Sequence, residues 1–270
     1  MQQLRDLFLR IKNKYISHKL KTTPTLDSST FVANPQWLIP TLTGKETIEA
    51  IVLNHKNISD GLGVLKNLPK DEYVDFLIKY YSKGINSYGE NWKYADIVTV
   101  LSGITKNIPI NSYLEIGVRT GRSMATVVKN ANSCEIVGFD LWIKDYAGMK
   151  NPGPEDVKEL MNRFGHIGNI ELISGDSTKT VPNYFNANPD KYFDLITVDG
   201  DHRIKGAKKD LKNIMPRLKI GGFLVFDDIS SPHHPYLSGL WESLVKSNPK
   251  FETYEFNSVG LGVAVAVRKY

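Results

Sequence analysis

Apolar residues recur at two different periods along this chain, and the change of period divides it. Near the N-terminus Leu4, Leu7, Phe8, Ile11 and Tyr15 fall at helical spacing, with Arg5, Arg10, Lys12, Lys14, Lys19 and Lys21 around them. That pattern predicts an amphipathic basic helix. Residues 22–43 are rich in Thr, Ser and Pro with Phe31 and Trp37 embedded, which reads as an irregular connector able to act as a lid. Thr43-Gly-Lys-Glu46 has the form of a capping box ahead of Ile48, Ile51 and Val52. Pro69 suits the first turn of the next helix, whose Val74, Leu77, Ile78 and Tyr81 form one stripe that Gly84 ends. Residues 85–90 read as a turn, and a further helix is expected from about Trp92 to Lys106.

Beyond residue 110 short apolar runs take over. Tyr113 to Ile116, Glu135 to Asp140, Ile170 to Ser174, Tyr192 to Val198 and Gly222 to Phe226 read as strands. Between them lie a helix carrying Ser123, Val127 and Val128 and helical stretches near 154–164 and 203–218. The last presents Ile204, Ala207, Leu211, Ile214 and Leu218 on one face. Strand and helix in alternation imply parallel strands joined by right-handed crossovers, hence a doubly wound, Rossmann-like α/β sheet. Phe251 to Phe256 and Leu261 to Val267, separated by Asn-Ser-Val-Gly, predict a closing antiparallel hairpin. The expected division is a helical region over 1–88, serving as acceptor lid or oligomerisation element, and a cofactor-binding catalytic domain over 89–270.

Composition narrows the function. The net charge of +5 comes from 34 basic against 29 acidic residues with no concentrated basic block, which argues against nucleic acid as a partner. The single cysteine, Cys134, excludes an intramolecular disulfide and any multi-cysteine zinc motif, and fits a reducing compartment. No apolar run reaches the roughly 18 residues of a membrane span, and the N-terminus lacks the form of a signal peptide. A cytoplasmic protein without a transmembrane segment is expected. The basic N-terminal helix suits docking on its own domain or on a second copy, giving a homo-oligomer, more than lying on an anionic membrane.

Candidate chemistry gathers where strands end. The stretch Tyr113-Leu-Glu-Ile-Gly-Val-Arg-Thr-Gly121-Arg-Ser123 ends an apolar run in a glycine-bearing turn that opens a helix. Gly117 and Gly121 permit a sharp turn and close ligand approach. A dinucleotide fingerprint needs glycine at 115, 117 and 120, where the chain has Glu115, Gly117 and Thr120. The pattern Glu115-Ile-Gly117-x-x-x-Gly121-x-Ser123 instead resembles the first motif of class I S-adenosylmethionine (SAM) dependent methyltransferases, whose turn wraps the amino-acid end of the cofactor. The closing antiparallel pair is also how methyltransferases of this class end their sheet. Asp140, 23 positions after Gly117, is placed to accept hydrogen bonds from ribose hydroxyls, a spacing that serves NAD equally. Gly175-Asp176-Ser177 resembles the family's adenine-contacting segment, with helix capping by Asp176 or Ser177 as the alternative. Trp142 either stacks on the adenosine or is simple packing.

The more distinctive cluster is Val198-Asp199-Gly-Asp201-His202 after the fourth strand together with Phe226-Asp227-Asp228-Ile229 after the fifth. Neighbouring strands bring Asp199, Asp227 and Asp228 to one rim, and carboxylates that close repel unless some stay protonated or a cation binds. All-oxygen ligands favour Mg²⁺ over zinc. These residues, with the run Gly-Gly-Phe-Leu-Val-Phe-Asp-Asp, resemble metal-dependent sugar O-methyltransferases of the macrocin and noviose type over roughly residues 110–230. The resemblance implies natural-product tailoring, metal binding by Asp199, Asp227 and Asp228, and Asp201 as a candidate general base. His202 has the better unperturbed pKa for that role, and geometry decides between the two. His233 and His234 follow the acid pair in a loop. The expected activity is Mg²⁺-assisted methyl transfer from SAM to a hydroxyl of a sugar, glycan or related small diol. A catechol or phenol-type methyltransferase and a SAM-binding protein without chemistry are the alternatives, with a dehydrogenase last.

Overall fold

The computed structural model describes residues 42–145 and 151–270, so the expected helix from Leu4 to Tyr15 and most of the connector lie outside the described residues. Four helices come first: α1 Lys45–Val52, α2 His55–Asn67, α3 Glu72–Tyr88 and α4 Ile97–Asn107. The alternating part follows as β1 Ser112–Ile116, α5 Arg122–Val128, β2 Glu135–Asp140, α6 Pro154–Arg163, β3 Ile170–Ser174, α7 Ser177–Ala187, β4 Phe193–Val198, α8 Ile204–Ile214 and β5 Leu218–Asp227. A short α9 Leu237–Trp241 runs into a π-helical turn, and β6 Phe251–Phe256 and β7 Val263–Arg268 close the fold. The seven strands lie in the order β3-β2-β1-β4-β5-β7-β6. The first five are parallel, and β7 runs antiparallel between β5 and β6. The expected doubly wound sheet with a closing antiparallel hairpin is therefore present.

Strand alternation builds a core on each face. Tyr113, Leu195, Phe223, Val225, Val263 and Val265 face α1–α6. Leu114, Ile116, Ile196, Leu224, Phe226 and Ala264 face α7, α8 and α9. β1 is buried at every position, so Tyr113, Leu114 and Ile116 do not alternate with exposed polar residues, and Ser112 and Glu115 are buried with them. On the second face Trp241 stacks on Phe226 with centroids 5.9 Å apart, and burial of a ring of this size contributes on the order of 2 to 3 kcal/mol.

Several local expectations fail for identifiable reasons. The capping box at Thr43 does not form: α1 starts after Gly44 with no side-chain cap, and the Thr43 carbonyl instead accepts from the Tyr254 hydroxyl. Pro69 precedes α3 rather than opening it, and Asp71 caps that helix by accepting from Val74 N at 2.7 Å. Gly84 does not end α3, which runs through the expected turn to Tyr88 and stops at Gly89 with φ +55°. A Cβ on Gly84 would lie 2.2 Å from the Trp92 indole, so the residue is glycine to admit a ring, not to break a helix. Helix α4 starts five residues later than expected, where Asp96 and Thr99 form a true capping box. Helix α7 carries no helical signal in its sequence, because Pro182 sits inside it among Thr and Asn residues.

Candidate active site

The strand order reverses between β1 and β4, so the crevice for a ligand opens outside the carboxyl ends of these two strands. Their registers pair Ile116 with Val198, which sets Gly117 directly beside Asp199. Gly117 has φ +92°, and a Cβ there would stand 2.0 Å from the Asp199 carbonyl oxygen. Glycine is thus required by the approach of two backbones. Gly121, at φ +79°, turns the chain into α5, where a Cβ would stand 3.2 Å from Val157 and 3.3 Å from Met161 of α6. Three non-glycine residues with positive φ also follow strand ends: Arg119 at 50°, Trp142 at 52° and Asp228 at 61°. Such conformations cost about 1 to 3 kcal/mol each and concentrate where function fixes a backbone.

Glu115 is wholly buried in β1, and its Oε1 accepts the Ser123 hydroxyl. Burial pushes this carboxyl up to about 8, and its Oε2 has no hydrogen-bond partner. Asp140, at the end of β2, accepts from Arg119 N at 2.7 Å and from Trp142 N at 2.6 Å, so it ties together the turns after β1 and β2. The Trp142 indole N–H is buried without an acceptor. Asp176 caps α7 by accepting from Thr178 N at 3.0 Å, and the Thr178 side chain does most to lower its pKa. Behind it lies Asp210 of α8, fully buried with both carboxylate oxygens lacking an aligned hydrogen bond. Burial raises this group to about 7, and the Ser177 hydroxyl is the main group opposing that rise.

Across the crevice, His202 Nε2 lies 3.3 Å from Asp199 Oδ1 and 3.6 Å from Asp228 Oδ2, with all three side chains half-buried. One ligand atom from each of the three falls within 4.8 Å of the others. Burial opposes protonation of His202, but contact with Asp199 and the charges of Asp228 and Asp201 outweigh it and raise its pKa. Burial, reinforced by Asp199, pushes the Asp227 and Asp228 carboxyls upward. Asp227 stands outside the three-residue cluster, close enough to Arg122 for that cation to ease its ionisation. Asp201 points elsewhere. Arg203 Nε and Nη2 clamp its carboxylate at 2.8 to 3.1 Å, which holds its pKa below the usual carboxylate value. The His234 ring, 5.0 Å from His202, does reach this rim, and its Nδ1 lies 3.2 Å from the Tyr236 hydroxyl.

Residues 114–229 match the family described as a methyltransferase domain, a span that runs from β1 to the acid pair after β5. This part of the chain thus resembles a methyltransferase domain. No curated protein matches it. Among solved structures the chain is similar to CalS11, a calicheamicin methyltransferase, at 20% identity over 79% of this chain and 91% of that one, with TM-score 0.49. TomG, an O-methyltransferase from Streptomyces achromogenes solved with SAM, aligns at 14% identity over 75% and 92% with TM-score 0.52. Cofactor-bound Rv0187 from MTB aligns at 16% identity over 79% and 90% with TM-score 0.50. At these identities the likeness is one of fold.

Three polar side chains near this crevice escape any motif reading. Arg122 is the first residue of α5, and its guanidinium lies 5.0 Å from the ring centroid of Tyr73, which comes from α3. Burial disfavours its charge, but Tyr73, Asp199, Asp227 and Asp96 around it outweigh that effect. Asp210 is the third. An arginine directly after the Gly121 turn was the one available signal, whereas Tyr73 and Asp210 sit in helical stretches that offer none.

Proposed function

We propose that this chain transfers the methyl group of SAM to an oxygen, with a divalent cation, most naturally Mg²⁺, assisting at a hydroxyl of a sugar or related diol. The convergence of Asp199, His202 and Asp228 beside the β1–β4 crevice carries this reading. The donor set suits a hard cation: the carboxylates of Asp199 and Asp228 converge with His202 between them, and a third carboxyl, Asp227, stands next to them. Asp199 and Asp228 would hold the ion, with Asp227 as further ligand. Such an ion would lower the pKa of a bound hydroxyl, and SAM supplies a methyl group already activated as a sulfonium.

The residues of this chain then have separable tasks. Glu115, Gly117, Gly121 and Ser123 shape the turn around the amino-acid end of SAM, Asp140 and Trp142 face the ribose and adenosine, and Asp176 and Ser177 flank the adenine. Holding donor and acceptor in line is the larger share of catalysis in a transfer of this kind. Of the two candidate bases, His202 is favoured, because Asp201 already receives a bidentate Arg203 and is held as a stable carboxylate, while His202 lies between Asp199 and Asp228. Residues 1–88 would cover the acceptor or join two copies, and a cytoplasmic setting fits the single thiol. The sugar acceptor rests on the resemblance of Asp199-Gly-Asp-His and the run into Asp227-Asp228 to sugar O-methyltransferases. A catechol-type acceptor is the second reading, favoured by Phe76, 57% exposed and stacked between Tyr73 and Tyr80 on α3.

The test is methyl transfer from labelled SAM into panels of sugars, nucleotide sugars and catechols, with Mg²⁺ and with a chelator. Label that needs Mg²⁺ and enters sugars is the expected result. Label that survives the chelator removes the metal from the proposal, and label confined to catechols replaces the acceptor class.

A further inference from the structure

Arg122 is a half-buried cation, its Nε out of solvent, that the proposed chemistry leaves without a task. Its Nε has no hydrogen-bond acceptor, and among the described residues no carboxylate comes within 4.0 Å of its guanidinium. Its close partner is a ring: Tyr73 lies 5.0 Å from the guanidinium carbon, and Arg119 approaches the same ring at 5.8 Å. A buried guanidinium costs several kcal/mol of lost hydration unless its N–H groups find acceptors. An aromatic face returns only about 0.5 to 2 kcal/mol. Arginine at such a position is suited to a planar, two-oxygen anion.

Its location names the anion. The guanidinium feels Asp199 at the end of β4, Asp227 at the end of β5 and Asp96 at the start of α4, so it stands on the β4 side of the Gly117–Gly121 turn. Asp140 and Trp142 stand on the opposite, β2, side. A SAM molecule laid across β1 with its ribose toward Asp140 therefore directs its amino-acid end toward Arg122. We infer that Arg122, backed by Tyr73, binds the carboxylate of the methionine end of SAM, so that a helix preceding the matched domain completes the cofactor site. This rests on the methyltransferase reading and deepens it. It assigns Arg122 a binding role and Tyr73 a positioning role, since the Tyr73 hydroxyl and ring together hold the guanidinium and need not touch the cofactor.

The test compares two ligands on the full chain by titration calorimetry: S-adenosylhomocysteine, which carries the amino-acid end, and 5′-methylthioadenosine, which lacks it. Arg122→Met is expected to weaken S-adenosylhomocysteine at least tenfold and to leave methylthioadenosine within about twofold. Arg122→Lys, which keeps the charge and loses the fork, should fall between, and Tyr73→Phe should weaken only S-adenosylhomocysteine by a few-fold. Should Arg122→Met not fold, the Lys and Phe variants carry the same comparison. Unchanged S-adenosylhomocysteine affinity overturns the inference, and so does an equal loss for both ligands. A wild-type chain that binds neither ligand overturns the methyltransferase reading itself, which keeps the two failures distinct.

Discussion

Asp210 and Glu115 show how burial, more than any neighbour, sets the charge of a carboxyl near the crevice. Asp210 is raised to about 7 in the folded chain, against roughly 3.9 for an unfolded aspartate. Between those values the folded state binds a proton that the unfolded state does not. Stability from this group is full below the unfolded value and is lost as pH rises through about 7. Asp210→Asn, a neutral side chain of the same shape, should therefore gain on wild type between pH 5 and pH 8.5. The ceiling is a few kcal/mol at about 1.4 kcal/mol per pK unit. Melting curves at the two pH values measure it, and an equal offset at both would sink the account. Glu115, raised to about 8, follows the same sign one step higher in pH. Asp201 is the opposite case, a carboxylate kept charged by Arg203. Asp201→Asn should retain most of the turnover while His202→Gln loses at least a hundredfold, and the reverse order in a labelled-SAM assay would return the base to Asp201.

At the scale of elements, the sheet was legible and the helices before it were only partly so. Strands β1, β2 and β4 announce themselves as short, largely apolar runs because both faces of each are covered, a condition that local sequence records directly, while β3 is partly exposed. Helix ends depend on contacts distant in sequence. Gly84 reads as a terminator, yet the space it leaves is filled by Trp92, and no periodicity encodes an indole eight residues away. Gly84→Ala should accordingly destabilise rather than stabilise, in spite of alanine's higher helix propensity. The overpacking cost of about 1 to 3 kcal/mol exceeds the gain of about 1 kcal/mol. A melting temperature that rises in the alanine variant would show that Trp92 yields to the added methyl. Helix α7 was hidden by Pro182, whereas its cap at Asp176 stood in plain view in a segment that also resembles an adenine contact. One residue served two readings, and the cap is the one with a bond in the structure.

Taken as a whole molecule, the chain brings its two candidate ligand sites together at a single crossing of β1 and β4. Motif spacing in the sequence supplied the acids and the glycine turn; it carried no sign that Gly117 lies against the Asp199 backbone or that α3 contributes Tyr73, because both depend on how the sheet reverses its order. That geometry separates two kinds of damage at this crossing. Asp199→Ala removes a side chain and leaves the carbonyl that faces Gly117, so S-adenosylhomocysteine affinity should stay within about threefold while turnover disappears. Gly117→Ala places a Cβ 2.0 Å from that carbonyl in a backbone with φ +92°, so β1 and β4 must part at their ends. Both functions should then fail together: cofactor binding by calorimetry, and any stabilisation by Mg²⁺ in a thermal-shift titration. If Gly117→Ala loses cofactor affinity and keeps its Mg²⁺ response, the acids hold their positions without the β1 turn. The sites would then be neighbours rather than parts of one construction.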